Sequence, residues 1–260
     1  MKKPLILVTN DDGITAPGLR ALVKFMKELG DVVVVAPDSP QSGMGHAITL
    51  NNTLYATKVI IDKENGALEE YSCSGTPADC VKIGLQELLS RKPDICVSGI
   101  NHGANSSINV IYSGTMSAAI EAGIEGVPAI GFSLCDFSWD ANFEQAKTQI
   151  QKIVSEALTN GIPKGVVLNV NIPKIDDGNY KGIKICRQAR ANWKEKFDKR
   201  TNPMGKDYYW LTGKFELLDK GEDTDEWALA HDYISVVPTQ FDLTAHHAIQ
   251  HINNWNLHEH

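Results

Sequence analysis

The sequence predicts an α/β protein: a doubly wound, mostly parallel, Rossmann-like sheet with an extended C-terminal hairpin arm. Two patterns carry the first part, namely continuous apolar runs of strand length, as expected for strands covered on both faces, and helical periods between them. A third carries the arm. From Lys174 onward charged residues interleave with Trp193, Phe197, Tyr208, Tyr209, Trp210, Phe215 and Trp227, and no long helical pattern appears until the tail. Residues 1–175 therefore read as a Rossmann-like core, and residues 176–260 as a hairpin arm, a returning strand and a tail helix, with aromatic surface on the arm that needs a partner to bury it.

With 260 residues, 42% hydrophobic and 22% charged, the chain has the makeup of a globular protein with a sizeable core. Its formal charge of -7 offers no basic field to a nucleic-acid backbone, so a nucleic-acid polymer is not an expected partner. No run approaches the roughly 18 apolar residues of a membrane span, and Met1 to Pro4 leads straight into a strand without a secretory leader pattern. The five cysteines, at 73, 80, 96, 135 and 186, are scattered and form no CxxC pair. They fit reduced core thiols, and a cytoplasmic location is expected.

The first strand, starting at Leu5, stops at Asn10-Asp11-Asp12-Gly13. Adjacent carboxylates repel, and each is expected to raise the other's pKa unless a cation neutralises the pair. The same residues also suit an Asx-type turn with Gly13 left-handed. Thr15 and Pro17 then open a helix with Leu19, Leu22, Val23, Met26 and Leu29 on one face, closed by Gly30. Asp31 to Ala36 is the second strand, which completes a βαβ unit. The loop that follows, Pro37 to His46, falls at the same sheet edge as Asp11 and Asp12, where such sheets bind ligands. Within it Ser42-Gly43 offers either a hydroxyl ligand beside a close backbone approach or a plain polar connection.

Residues 47–72 read as short strands or a hairpin turning at Asn65-Gly66. Thr76, Pro77 and Asp79 fit the N-cap, first and third positions of a helix, and capping explains them better than a bound anion. Pro93 to Gly99 is a third buried strand that delivers Asn101 and Asn105 to the same rim. The amide oxygen of Asn101, with Asp11, Asp12 and a serine hydroxyl, makes an oxygen-only set that suits Mg²⁺ or Mn²⁺ and is wrong for structural zinc. His102 reads as a solvent-facing or helix-capping residue.

Tyr112-Ser113-Gly114-Thr115 precedes a small-residue helix running to Ala122, and its hydroxyls and free N–H groups suit a phosphate as well as ordinary capping. Pro128 to Leu134 extends the sheet. Asn142 to Asn160 is a helix burying Phe143, Ala146, Ile150, Ile153, Val154 and Leu158. Val166 to Pro173 is the next strand, expected at or near the end of the compact sheet. Lys206 to Gly213 and Tyr233 to Pro238 read as further strands, and Ala245 to Asn256 places Ile249, Ile252 and Trp255 at helical spacing. The tail histidines, His258 and His260 among them, read as surface residues.

Several of these motifs, in this order and spacing, closely resemble the SurE family of survival-protein nucleotidases. They are Asn10-Asp11-Asp12-Gly13, Val35-Ala36-Pro37-Asp38 leading to Ser42-Gly43, Gly75-Thr76-Pro77-Ala78-Asp79, Ser98-Gly99-Ile100-Asn101 through Asn105, and Tyr112-Ser113-Gly114-Thr115. The resemblance continues through Asn169 to Pro173 and Tyr233 to Pro238. It implies a phosphatase acting on nucleoside 5′- and 3′-monophosphates, in some members on short polyphosphate, with one divalent ion per subunit. The implied metal ligands are Asp11, Asp12, Ser42 and Asn101, with Asp11, Asp12 and Asn101 catalytic. Asn10, Gly43, Asn105, Ser113, Gly114 and Thr115 are the phosphate-binding residues expected around them. A homodimer or homotetramer exchanging C-terminal arms is also implied. Two departures, Asp232 in place of the usual Gly and Val237-Pro238-Thr239 in place of Thr-Pro-Leu, touch the arm and leave the metal residues intact.

Other phosphate chemistries lack their residues. A haloacid-dehalogenase phosphatase needs Asp-x-Asp after the first strand, where this chain has Asn10, and a Walker loop begun at Gly13 would end in Leu19-Arg20. A metal-dependent sugar-nucleotide transferase could use paired aspartates, but nothing supplies its donor site. A non-catalytic nucleotide-binding or sensing module stays open as the alternative.

Overall fold

A computed structural model describes residues 3–62, 66–138, 140–175 and 179–257. Its strands are β1 (Leu5–Thr9), β2 (Asp31–Pro37), β3 (Ala56–Val59), β4 (Glu69–Cys73), β5 (Ile95–His102), β6 (Ala129–Leu134), β7 (Val166–Ile172), β8 (Gly182–Ile185), β9 (Ala191–Thr201), β10 (Asp207–Leu217) and β11 (Tyr233–Gln240). Its α-helices are α1 (Pro17–Lys27), α2 (Pro77–Ile83), α3 (Gly114–Ile124), α4 (Lys147–Asn160), α5 (Asp225–Ala230) and α6 (His246–Asn253). Asn65 of the expected Asn65-Gly66 turn, and His258 and His260, lie outside the described residues.

The main sheet runs β3-β4-β2-β1-β5-β6-β7-β11-β8, with every pairing from β4 to β7 parallel. Period-two burial on both faces explains the continuous apolar runs. In β1, Ile6 and Val8 join the core beneath α1 and α4, while Leu5 and Leu7 join the core beneath α2 and α3. The same split runs along β2, with Val32 and Val34 on one side and Val33 and Val35 on the other. Each such side chain, fully buried, contributes about 1.5–3 kcal/mol. Close packing of α3 on the sheet follows from Ala118, Ala119 and Ala122, all buried.

Helix starts largely match their sequence signals. Thr76 and Asp79 form a reciprocal capping box on α2, with Pro77 in its first turn. On α1, Ala16 takes the N-cap position ahead of Pro17, and Thr15 is exposed just outside the helix.

β7 is the last strand that residues before 175 give the sheet, and it lies near the end: β11, the returning strand, pairs antiparallel with it, from Ser235 opposite Asn171 to Gln240 opposite Val166, and β8 pairs parallel with β11 beyond. An apolar run reports that a strand is covered on its faces, and says nothing about which distant segment lies beside it. The sheet of the core thus takes two strands from residues after 175. The arm is the separate antiparallel pair β9 and β10, in register from Ala191 opposite Leu217 to Thr201 opposite Asp207, longer than the hairpin read from the sequence. All five cysteines are free. Among the described residues no helix is long and apolar enough to cross a membrane.

Candidate metal and phosphate site

Beside β1 the strand order reverses, with β2 on one flank and β5 on the other, so the loops after β1 and β5 part and leave a crevice at the carboxyl edge. Asp11, Asp12, Ser42, Gly43, Asn101, Asn105 and Ser113 all line it. Its volume of about 490 Å³ suits a small-molecule ligand.

Asp11 is 4% exposed. The Thr115 hydroxyl donates to its Oδ1 at 2.5 Å, and the Gln41 N–H donates to its carbonyl at 2.7 Å, which ties the serine-bearing loop to the strand end. Burial pushes the Asp11 carboxyl up to about 6; the Thr115 hydrogen bond opposes this, and the charge of Asp12 adds a smaller push. Asp12 is also raised, first by burial, against the His102 ring and N–H. Burial, then, and not the expected mutual repulsion, is the leading cause, because α3 and the neighbouring loops close over the strand end.

The residues fit a hard divalent ion. Asp12 Oδ2 is buried and has no hydrogen-bond partner among the described residues. Asn101 gives its Nδ2 to the carbonyls of His102 and Gly103, at 3.1 and 2.9 Å, which leaves Oδ1 as its free acceptor. Ser42 offers an exposed hydroxyl in the same crevice. No group of three His, Cys, Asp or Glu side chains among the described residues forms a metal cluster. Two carboxylates with neutral oxygens match Mg²⁺ or Mn²⁺ in charge and hardness.

The turn reading holds together with this one. Asn10, fully buried, donates from Nδ2 to the Gly13 carbonyl at 3.0 Å, and Gly13 has a φ of 102°, a conformation that favours glycine. Asn10 and Thr115 thus stand behind the carboxylates, off the crevice lining, in supporting positions. Gly114 is there for closeness: a Cβ on it would lie 2.6 Å from Asp11 Cβ. Ser113 caps α3 by accepting from the Met116 N–H at 3.0 Å.

Asn105 is held by a network the sequence did not reveal. Its N–H donates to Asn171 Oδ1 at 2.7 Å, its Nδ2 to Ser133 at 2.8 Å, and its carbonyl accepts from Asn169 Nδ2 at 2.9 Å. Alternate asparagines in the otherwise apolar β7 were the available signal. Asp225, fully buried, likewise accepts the N–H groups of Ser107 and Ala189 at 2.8 and 2.9 Å, fixing the loop that follows Asn105 to the root of the arm.

A family model described as survival protein SurE matches residues 6–195. The chain belongs to the SurE family. It is 69% identical over 257 residues to the 5′-nucleotidase SurE of Flavobacterium psychrophilum, covering 99% of each chain. To the 5′-nucleotidase SurE of Cytophaga hutchinsonii it is 60% identical over 262 residues, covering 100% of each. The crystal structure of the SurE protein from Aquifex aeolicus matches with a TM-score of 0.82 at 40% identity, covering 96% of this chain and 98% of that one. Against this SurE background the Asp232 departure has a local explanation. Asp232 takes a φ of 67°, which Asp tolerates better than most residues, and its carbonyl accepts the Lys181 N–H at 2.9 Å.

Proposed function

We propose that this chain is a divalent-metal-dependent phosphomonoesterase that releases phosphate from nucleoside 5′-monophosphates, with 3′-monophosphates as further substrates. What carries the reading is the meeting of Asp11, Asp12, Ser42 and Asn101 at one switch-point crevice, with a buried carboxylate oxygen that has no hydrogen-bond partner among the described residues. The relatives named 5′-nucleotidase SurE support the reaction class. These four oxygens would hold Mg²⁺ or Mn²⁺, which would supply charge neutralisation and Lewis-acid polarisation of the phosphoryl group.

The chain's own groups do the rest. Ser113 Oγ accepts from Met116, so its proton is left for a phosphate oxygen, while the start of α3 is turned to Asp11, to which Thr115 gives both its hydroxyl and its backbone N–H. The Asn105 network and the Gln41 tether keep their loops from drifting, which preserves the alignment that phosphoryl transfer depends on. A panel of purine and pyrimidine 5′- and 3′-monophosphates, with ribose 5-phosphate as the base-free control, tests this by phosphate release. The nucleotides are expected to fall within about 3 kcal/mol of one another in transition-state free energy. Nucleotide binding without any release would instead make the chain a sensing module.

The arm supports a homodimer or homotetramer. Phe197, Tyr209, Trp210 and Leu211 on it are each more than half exposed, and an isolated two-stranded hairpin is marginal in water. Deleting residues 196–212 is expected to lower the mass in light scattering to that of one chain; an unchanged mass would contradict the assembly. The five free thiols fit a cytoplasmic location.

A further inference from the structure

The outer part of the crevice is aromatic, and nothing in the metal and phosphate chemistry uses that surface. Trp193 and Phe215, at the root of the arm, line it together with Phe137 from the loop after β6 and Tyr112 from the turn before α3. Phe137 is 81% exposed and Tyr112 54%, so these rings are held in water rather than in the core. Single exposed aromatics are ordinary, but here three exposed rings, Tyr112, Phe137 and Trp193, and the half-buried Phe215 line one crevice.

Trp193 is also fixed in place. Its Nε1 donates to Asn109 Oδ1 at 2.8 Å, and its ring meets Phe215 edge-on, with centroids 5.5 Å apart and planes 65° apart. Asn109 itself lines the crevice. An indole whose one donor is already satisfied has only apolar ring surface left to offer a ligand, and a ring anchored beforehand loses little freedom when a ligand stacks on it.

We propose that Trp193, Phe215 and Phe137 form a nucleobase-stacking subsite, which holds the base of the substrate while the phosphate sits at Asp11, Asp12 and Ser113. This rests on the nucleotidase reading above and assigns the base-binding part of it. Because every base has a π-face, stacking gives affinity for nucleotides over bare sugar phosphates with little choice among bases. The arm's root thereby becomes part of the substrate site.

The test compares kcat/KM for AMP and CMP with kcat/KM for ribose 5-phosphate, in the wild type and in Trp193→Ala, Trp193→Phe and Phe137→Ala. The wild type should prefer both nucleotides, and Trp193→Ala should cut that preference roughly 10- to 100-fold, through KM, with ribose 5-phosphate turnover retained. Trp193→Phe should keep most of the preference. Phe137→Ala, at an exposed position with little bearing on folding, should weaken it in the same direction. Equal losses for nucleotides and ribose 5-phosphate in both alanine variants, or a wild type without preference, would overturn the subsite while leaving phosphatase activity intact. Absence of phosphate release from every substrate would instead bring down the nucleotidase reading.

Discussion

Asp12→Asn is expected to lower kcat/KM for a nucleoside monophosphate by at least about 10³-fold while the protein stays folded. The Asp12 Oδ2 atom is buried without a hydrogen-bond partner among the described residues, and its carboxyl is pushed up by burial. An amide of the same shape removes half of the negative charge that would hold the cation, and three decades in rate correspond to about 4 kcal/mol of transition-state stabilisation. The same change relieves the cost of a buried, uncompensated charge, so thermal stability should hold or rise in metal-free buffer. Loss of activity together with loss of fold would make the pair a structural turn. Activity within tenfold of the wild type would remove Asp12 from the metal site altogether.

Gly114→Ala is expected to lose about 10²-fold in activity although alanine is the best helix former and Gly114 begins α3. The new Cβ would lie 2.6 Å from Asp11 Cβ and 2.8 Å from its Oδ2. Asp11 has little room to retreat, since Thr115 holds its carboxylate and Gln41 its carbonyl. Small displacements of a metal-holding group cost rate on this scale, whereas overpacking at one methyl costs about 1–3 kcal/mol of stability. The check is a pair of numbers: kcat/KM, and the melting temperature with and without metal. A fully active alanine variant would mean that Asp11 is free to move without consequence.

How much of this was legible beforehand depends on the range of the physics. Strands such as Val32 to Val35 announced themselves because burial on both faces leaves a local record. Which strands lie beside Val166–Ile172 left no such record, because they arrive from Gly182 and Tyr233. The carboxylate pair, Ser42 and Asn101 were visible as chemistry at strand ends, and the fold brings them to one crevice. Their surroundings were not visible. Burial dominates the Asp11 carboxyl because α3 covers it, and Thr115 reaches it from 104 residues away. The aromatic rim joins Phe137, Trp193 and Phe215, three segments that no local pattern connects. Trp193 and Phe215 read from the sequence as part of the arm's apolar surface, yet they line the crevice.

Asp11, Asp12, Ser42 and Asn101 are proposed to hold a divalent ion on which phosphate release depends. The direct measurement is phosphate released from AMP by protein dialysed against EDTA, then titrated with Mg²⁺ or Mn²⁺ while metal binding is followed by calorimetry. The chelated protein is expected to show no turnover, with recovery that tracks occupancy of one site per chain. Full turnover by the metal-free protein, or recovery uncoupled from binding at that site, would contradict it.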